Sequence, residues 1–160
     1  VRYLGCCPSP FDSYLMTLGL ETLSLRVRHE VESARRLAEY CRNHPKVERV
    51  SFVGFESHPS YANAKKYFRF GSSAVFTIEL KGTLDSTVRF VESLNLAAHM
   101  VMIGDSVTVV THPASTTHKQ LGDADLAAAG VTPTMLRISV GLENTDDLID
   151  DFEQAFAHIG

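Results

Sequence analysis

Apolar and polar positions along the chain change period several times. Ser9-Pro10-Phe11-Asp12 opens a helix: Ser9 is a cap, Pro10 suits the first helical position, and Asp12 faces the positive helix end. No further Pro occurs before Pro45, so the spacing predicts helix over 9–43. In its second half Val27, Val31, Ala34, Ala38 and Cys41 recur at alternating steps of four and three, which is one helical face. Phe11, Leu15 and Leu18 follow the same steps on another register, and a bend is expected near Gly19, where the registers change.

Beyond Pro45 short elements alternate. Strands are predicted at 47–53, 73–80 and 135–140, helices at 59–67, 85–94, 123–129 and 145–157. Val88, Val91 and Leu84 are expected inward on the second of these helices, and Leu148, Ile149, Phe152 and Phe156 on the last. Two further strands, 97–103 and 107–111, are expected to meet at the turn pair Gly104-Asp105, and 112–120 reads as a polar loop. This order suggests an α/β (α+β) two-layer sandwich, one small mixed or antiparallel sheet with helices mainly on one face.

Composition narrows the function. Hydrophobic residues are 44% and charged residues 21% of 160, the globular range, and the formal net charge is -4. No basic block points to nucleic acid, and no apolar run is long enough to cross a bilayer. Val1-Arg2-Tyr3-Leu4-Gly5 has neither an initiator Met nor a signal-peptide layout, and is expected to be an internal point of a longer chain. Cys6, Cys7 and Cys41 fit neither a disulfide framework nor a zinc site, which favours a reducing, cytoplasmic setting; a redox pair at Cys6-Cys7 is the minor alternative to two plain thiols.

Three places carry candidate chemistry. His112-Pro113-Ala114-Ser115-Thr116-Thr117-His118 combines two His with hydroxyls. A metal reading pairs His112 with His118 but lacks a third ligand; a nucleophile reading pairs Ser115 with a His but lacks an orienting group; the plain reading is a hydroxyl-rich loop bonding its own backbone. Arg137 interrupts the apolar strand Met135-Leu136-Arg137-Ile138-Ser139-Val140, alternating with Leu136, Ile138 and Val140 and sharing a face with Ser139. Either that face meets solvent, or the guanidinium fork meets a carboxylate. Lys65-Lys66, after His58-Pro59, includes a Schiff-base candidate, but a lysine pair on a short helix is more often a solvated face.

Taken together these segments resemble the Cys/Met-metabolism family of pyridoxal-phosphate enzymes. The likeness is carried by Ser9-Pro10-Phe11-Asp12, Gly19-Leu20-Glu21-Thr22-Leu23 with Leu25-Arg26, His58-Pro59, Ala64-Lys65-Lys66-Tyr67, and Glu79-Leu80-Lys81-Gly82. It continues through Gly104-Asp105, the His112 to His118 loop, Ala129-Gly130-Val131-Thr132-Pro133, and Arg137-Ile138-Ser139-Val140-Gly141-Leu142-Glu143, in family order across the chain. The O-acetylhomoserine sulfhydrylase branch is the most similar, with cystathionine γ-synthase and methionine γ-lyase as cousins.

The resemblance implies the C-terminal domain of a fold-type I transferase, with residues 1–43 a linking helix and arm and 44–160 a small substrate-binding domain. It implies pyridoxal 5'-phosphate as the cofactor of the intact enzyme, an O-acetylhomoserine-like substrate, sulfide, and assembly into a homo-oligomer, a tetramer by family habit. The family's cofactor lysine and phosphate-binding residues lie in a preceding large domain, against which the arm packs. Lys65 and Lys66 do not match that lysine, so no catalytic or cofactor-binding residue is assigned here and the chain alone is expected to be inactive. By the same resemblance Arg137 grips the substrate α-carboxylate, Thr117 lies at the edge of that site, and Met102 stands where the family usually has Ser or Asn. Leu18 stands where it usually has Arg. A γ- or β-lyase of the same family, or a non-catalytic small-molecule-binding or assembly domain, are the alternatives.

Overall fold

A computed structural model describes residues 4, 5 and 7–159; the Cys6-Cys7 pair falls partly outside them. The first element, α1 (Pro10–Glu21), starts in a capping box: the Ser9 hydroxyl accepts the Asp12 amide, and the Asp12 carboxylate accepts the Ser9 amide. The second, α2 (Leu23–Asn43), follows after Thr22. The expected single helix is therefore two. The break lies three residues beyond Gly19, at Thr22, whose backbone (φ -105°, ψ 1°) has left helical geometry. Arg26 spans this corner, donating to the Gly19 carbonyl at 3.1 Å and to the Thr22 hydroxyl.

After α2 come β1 (Val47–Ser51), α3 (Tyr61–Tyr67), β2 (Val75–Leu80), α4 (Leu84–Glu92), β3 (Ala98–His99), β4 (Val109–Thr111), α5 (Asp123–Ala128), β5 (Met135–Ser139) and α6 (Thr145–Ala157). The strands form one mixed sheet in the order β1-β2-β5-β4-β3. The pairs β1/β2, β2/β5 and β4/β5 are antiparallel. The expected hairpin at Gly104-Asp105 does not form: β3 and β4 pair in parallel. Two parallel strands cannot be closed by a tight turn, because the chain must return to the end from which it started. Residues 100–108 make that return as a strap rather than as strand, although Met100, Val101, Met102 and Ile103 have strand-like composition.

Alternation on the strands separates two faces. Phe76, Ile78, Leu80, Val110, Leu136 and Ile138 are buried under α2, α4 and α6. From α2 come Ala34, Leu37, Ala38 and Cys41, all at 0% exposure, so the C-terminal half of this helix shares the core of the sheet. The two alanines let the helix backbone lie close to the strands. Its first turns do not share that core: Val27 is 41% exposed, and Phe11, Leu15 and Leu18 of α1 are 67%, 49% and 42% exposed. Phe90 of α4 packs against Phe152 and Phe156 of α6 at ring separations of 5.5 and 4.7 Å. Phe90, not the expected Leu84, is the main inward residue of α4, and Leu84 is exposed.

Candidate functional site

The second face of the sheet carries a polar rung. Register places Ser51 beside Thr77, Thr77 beside Arg137, and Arg137 beside Thr111, so four strands contribute one residue each to a single row. His58 extends the row: its Nε2 lies 3.2 Å from the Ser51 hydroxyl, while its Nδ1 accepts the Ser60 amide at 3.1 Å. Arg137 is half-buried on the central strand. Its Nη2 donates to the Thr111 hydroxyl at 3.2 Å and to the Met102 carbonyl at 3.4 Å. Its Nε is buried and has no hydrogen-bond partner. Among the described residues no carboxylate pairs with it. Glu79, on the same face of β2 as Thr77, is taken by Arg49. A guanidinium held at one nitrogen, partly desolvated and without a counter-charge suits an incoming carboxylate.

The strap fixes the edge of this site. Thr111 donates its hydroxyl to the Met100 carbonyl at 2.6 Å, and the Gly104 amide donates to the buried Ser139 hydroxyl at 3.2 Å. Met102 meets Arg137 through its main chain only; its side chain is exposed. Thr117 is exposed in the loop beyond β4, with its hydroxyl 2.8 Å from His118 Nδ1. Of the three residues singled out from the sequence, Arg137 and Met102 are thus in contact, and Thr117 makes no hydrogen bond to either.

The His112 loop resolves as architecture. His112 is buried; its Nε2 lies 2.9 Å from the Pro133 carbonyl, which only accepts, so Nδ1 is the acceptor for the Ser115 hydroxyl at 2.7 Å. Burial pushes the imidazole below its ordinary pKa, with the Pro133 bond opposing. The Ser-His contact foreseen by a nucleophile reading is present, but this ring is enclosed and spent on holding one turn of 3-10 helix, Pro113–Ser115, against the loop before β5. Thr116 returns its hydroxyl to the His112 carbonyl at 2.7 Å. His118 is engaged with Thr117, and among the described residues no three His, Cys, Asp or Glu groups cluster as a metal site.

Among the described residues no lysine is in hydrogen-bond contact with the Arg137 row. Lys46 and Lys81 are tied to backbone carbonyls, Lys65 and Lys66 lie exposed on α3, Lys66 over the Tyr67 ring, and Lys119 is exposed in a turn. A cavity of about 420 Å³ lies elsewhere, between α2, α3 and the loop 68–72, and Arg137 is not in its lining. No described helix is long and apolar enough to cross a membrane. One anchor went unseen in the sequence: Asp151 of α6, almost fully buried, accepts the amides of Asn95, Leu96 and Ala97 at 2.8, 3.1 and 3.0 Å.

Comparison with known proteins shows the family and the fold. The family model described as Cys/Met metabolism PLP-dependent enzyme matches residues 1–157. Homocysteine synthase of Schizosaccharomyces pombe is 45% identical over 97% of this chain, and O-acetyl-L-homoserine sulfhydrylase 1 of Thermus thermophilus is 41% identical over 98%. This chain spans 36% and 37% of those two relatives. A crystal structure described as an O-acetylhomoserine (thiol)-lyase of Campylobacter jejuni superposes with a TM-score of 0.87 at 35% identity. It matches 98% of this chain and 37% of its own, and carries N'-pyridoxyl-lysine-5'-monophosphate.

Proposed function

We propose a function from one premise: the chain belongs to the family of Cys/Met metabolism PLP-dependent enzymes. It is the substrate-gripping portion of an enzyme that makes homocysteine from O-acetylhomoserine and sulfide. The names of the relatives support this choice of substrates over a lyase or a non-catalytic role. Pyridoxal phosphate supplies the electron sink for such chemistry when bound. The part of this chain's own residues is to bind and orient the substrate. Residues 1–43 act as the linking arm, with the C-terminal half of α2 doubling as a packing layer for the substrate-binding domain 44–160. The apolar exposed side of α1 rests against a preceding large domain. A cytoplasmic homo-oligomer is the setting we assign, in keeping with the free thiols of Cys7 and Cys41.

The observation that carries this reading is the Arg137 guanidinium, anchored at Nη2 and unpaired by any described carboxylate. A substrate α-carboxylate bound by its fork is fixed in position and direction, which is most of what a positioning group contributes. Met102 offers its carbonyl to the guanidinium and not its side chain to the substrate. Thr117 borders the site from the loop after β4. In the full-length protein Arg137→Ala is expected to lower kcat/KM for O-acetylhomoserine by roughly one to two decades, the cost of a hydrogen bond to a charged group. Arg137→Lys, which keeps charge but not the fork, should also be harmful. A change below about threefold in both, with cofactor still bound, would show that the carboxylate is held elsewhere.

A further inference from the structure

We infer that Thr108 and Glu143 form a clamp that positions Arg137 by holding the strap 100–108 across the end of β5; this rests on Arg137 being the carboxylate grip. Every polar atom of Thr108, which is 0% exposed, is engaged. Its hydroxyl accepts the Gly141 amide at 2.9 Å and donates to Glu143 Oε2 at 2.7 Å. Its amide donates to Glu143 Oε1 at 2.6 Å, and its carbonyl accepts the Ala98 amide at 2.8 Å. One carboxylate thus binds both donors of one residue, and that residue in turn binds the strand that leads from Arg137.

Backbone packing tightens the same junction. A Cβ added at Gly141 would lie 2.5 Å from the Ser106 carbonyl oxygen and from the Val107 carbonyl carbon, so only a glycine lets the strap lie this close. The Leu142 amide donates to the Ser106 carbonyl at 2.8 Å. At the other end the strap is held by Met100 on Thr111. Between these ends, Met100, Val101, Met102 and Ile103 all have exposed side chains, so burial does not hold this stretch in place. The height of the Met102 carbonyl over Arg137 Nη2 is therefore set by polar ties along the strap: Met100 on Thr111, Gly104 on Ser139, and the Thr108–Glu143 pair that closes its C-terminal end. Releasing that pair loosens the C-terminal end of the strap and weakens the longer, 3.4 Å contact of the two that fix the guanidinium plane. Thr108 and Glu143 touch neither substrate nor reacting atoms; they act through Arg137.

The test is kinetic, in the full-length protein, with Thr108→Val, Thr108→Ser and Glu143→Gln measured beside Arg137→Lys. Thr108→Val and Glu143→Gln should raise KM for O-acetylhomoserine roughly tenfold, the loss of one orienting hydrogen bond. In both, kcat, KM for sulfide and cofactor absorbance should stay near wild type, and Thr108→Ser, which keeps the hydroxyl, should restore KM. In the Arg137→Lys background Thr108→Val should add less than about threefold, because the clamp would have nothing left to position. An unchanged KM in Glu143→Gln and Thr108→Val, or full multiplicative effects in the Arg137→Lys background, would overturn the clamp. If Thr108→Val does not fold, Glu143→Gln and its double variant with Arg137→Lys decide by the same criteria. If Arg137→Lys itself leaves KM unchanged, the carboxylate reading fails and takes the clamp with it; a penalty in Arg137→Lys without one in the clamp variants refutes the clamp alone.

Discussion

Asp151 offers a direct check on how the strap is supported from below. The perturbation is Asp151→Ala. Its Oδ1 accepts the Asn95 amide and the Gln154 side-chain amide, and its Oδ2 accepts the Leu96 and Ala97 amides. Those three backbone donors lie in the connection from α4 to β3, just before the strap begins. The Ala97 amide is buried, and the truncated side chain would leave it without its partner. A single hydrogen bond to a charged acceptor is worth about 1.5–3 kcal/mol, and an orphaned buried donor costs about 1–3 kcal/mol. Bonds sharing one acceptor group do not add in full, and water can reach the two less buried amides, so a total of about 3–5 kcal/mol is expected. Near the transition temperature that is a fall of roughly 6–20 °C for a chain of this size. Urea unfolding of the 160-residue chain measures it, with Asp150→Ala, an exposed neighbour, as the control near zero. A loss below about 1 kcal/mol in Asp151→Ala would refute the idea that one carboxylate anchors this connection.

Two further outcomes follow from burial. His112 and His44 are both held below their ordinary pKa of 6.5, chiefly by burial, so the unfolded chain takes up protons on acidification before the folded one does. Their contribution is present above pH 6.5 and is lost as pH falls toward the folded values; the urea midpoint should drop between about pH 7.5 and 5.5, and His44→Phe, which keeps the 3.9 Å stack on Phe156, should reduce that drop. A flat midpoint across this window would contradict both. Amide hydrogen exchange should be fast over 11–18 and slow over 34–41, since the first stretch buries nothing and the second lines the core; equal protection in a demonstrated monomer would show that α1 has a partner within the chain.

Local rules were legible wherever a signal is short-range. The Ser9 box, the Ala34-Ala38-Cys41 face and the inward Leu148, Phe152 and Phe156 all depend on neighbours within one or two helical turns. Alternation also put Arg137 and Ser139 on one face and Leu136, Ile138 and Val140 on the other. What failed was pairing. A Gly-Asp step between two apolar runs has the composition of a hairpin turn, and composition does not show that the runs lie parallel with a strap between them. Gly104 does take a positive φ of 76°, so the turn chemistry is real while the topology it suggested is not. Asp151 escaped notice because the backbone amides it holds lie more than fifty residues away, and nothing in an amphipathic helix distinguishes an acid aimed at a loop from one aimed at water.

The same limit explains why Arg137 stood undecided between solvent and ligand. On a two-layer sandwich the sheet face away from the helices is where polar residues belong, so an Arg there needs no special account. The strap changes that. The strap 100–108 is tied to Ser139 and Thr111, both buried, and the Nε of Arg137 beside them is buried as well. Partial burial raises the cost of leaving the guanidinium without an anion, and it does so at the one residue whose fork matches a carboxylate. The segment that meets Arg137 has exposed apolar side chains and is tied at Thr108 to Glu143 and at Met100 to Thr111. Position 102 meets Arg137 through a carbonyl that any residue supplies, so this contact does not depend on the Met side chain.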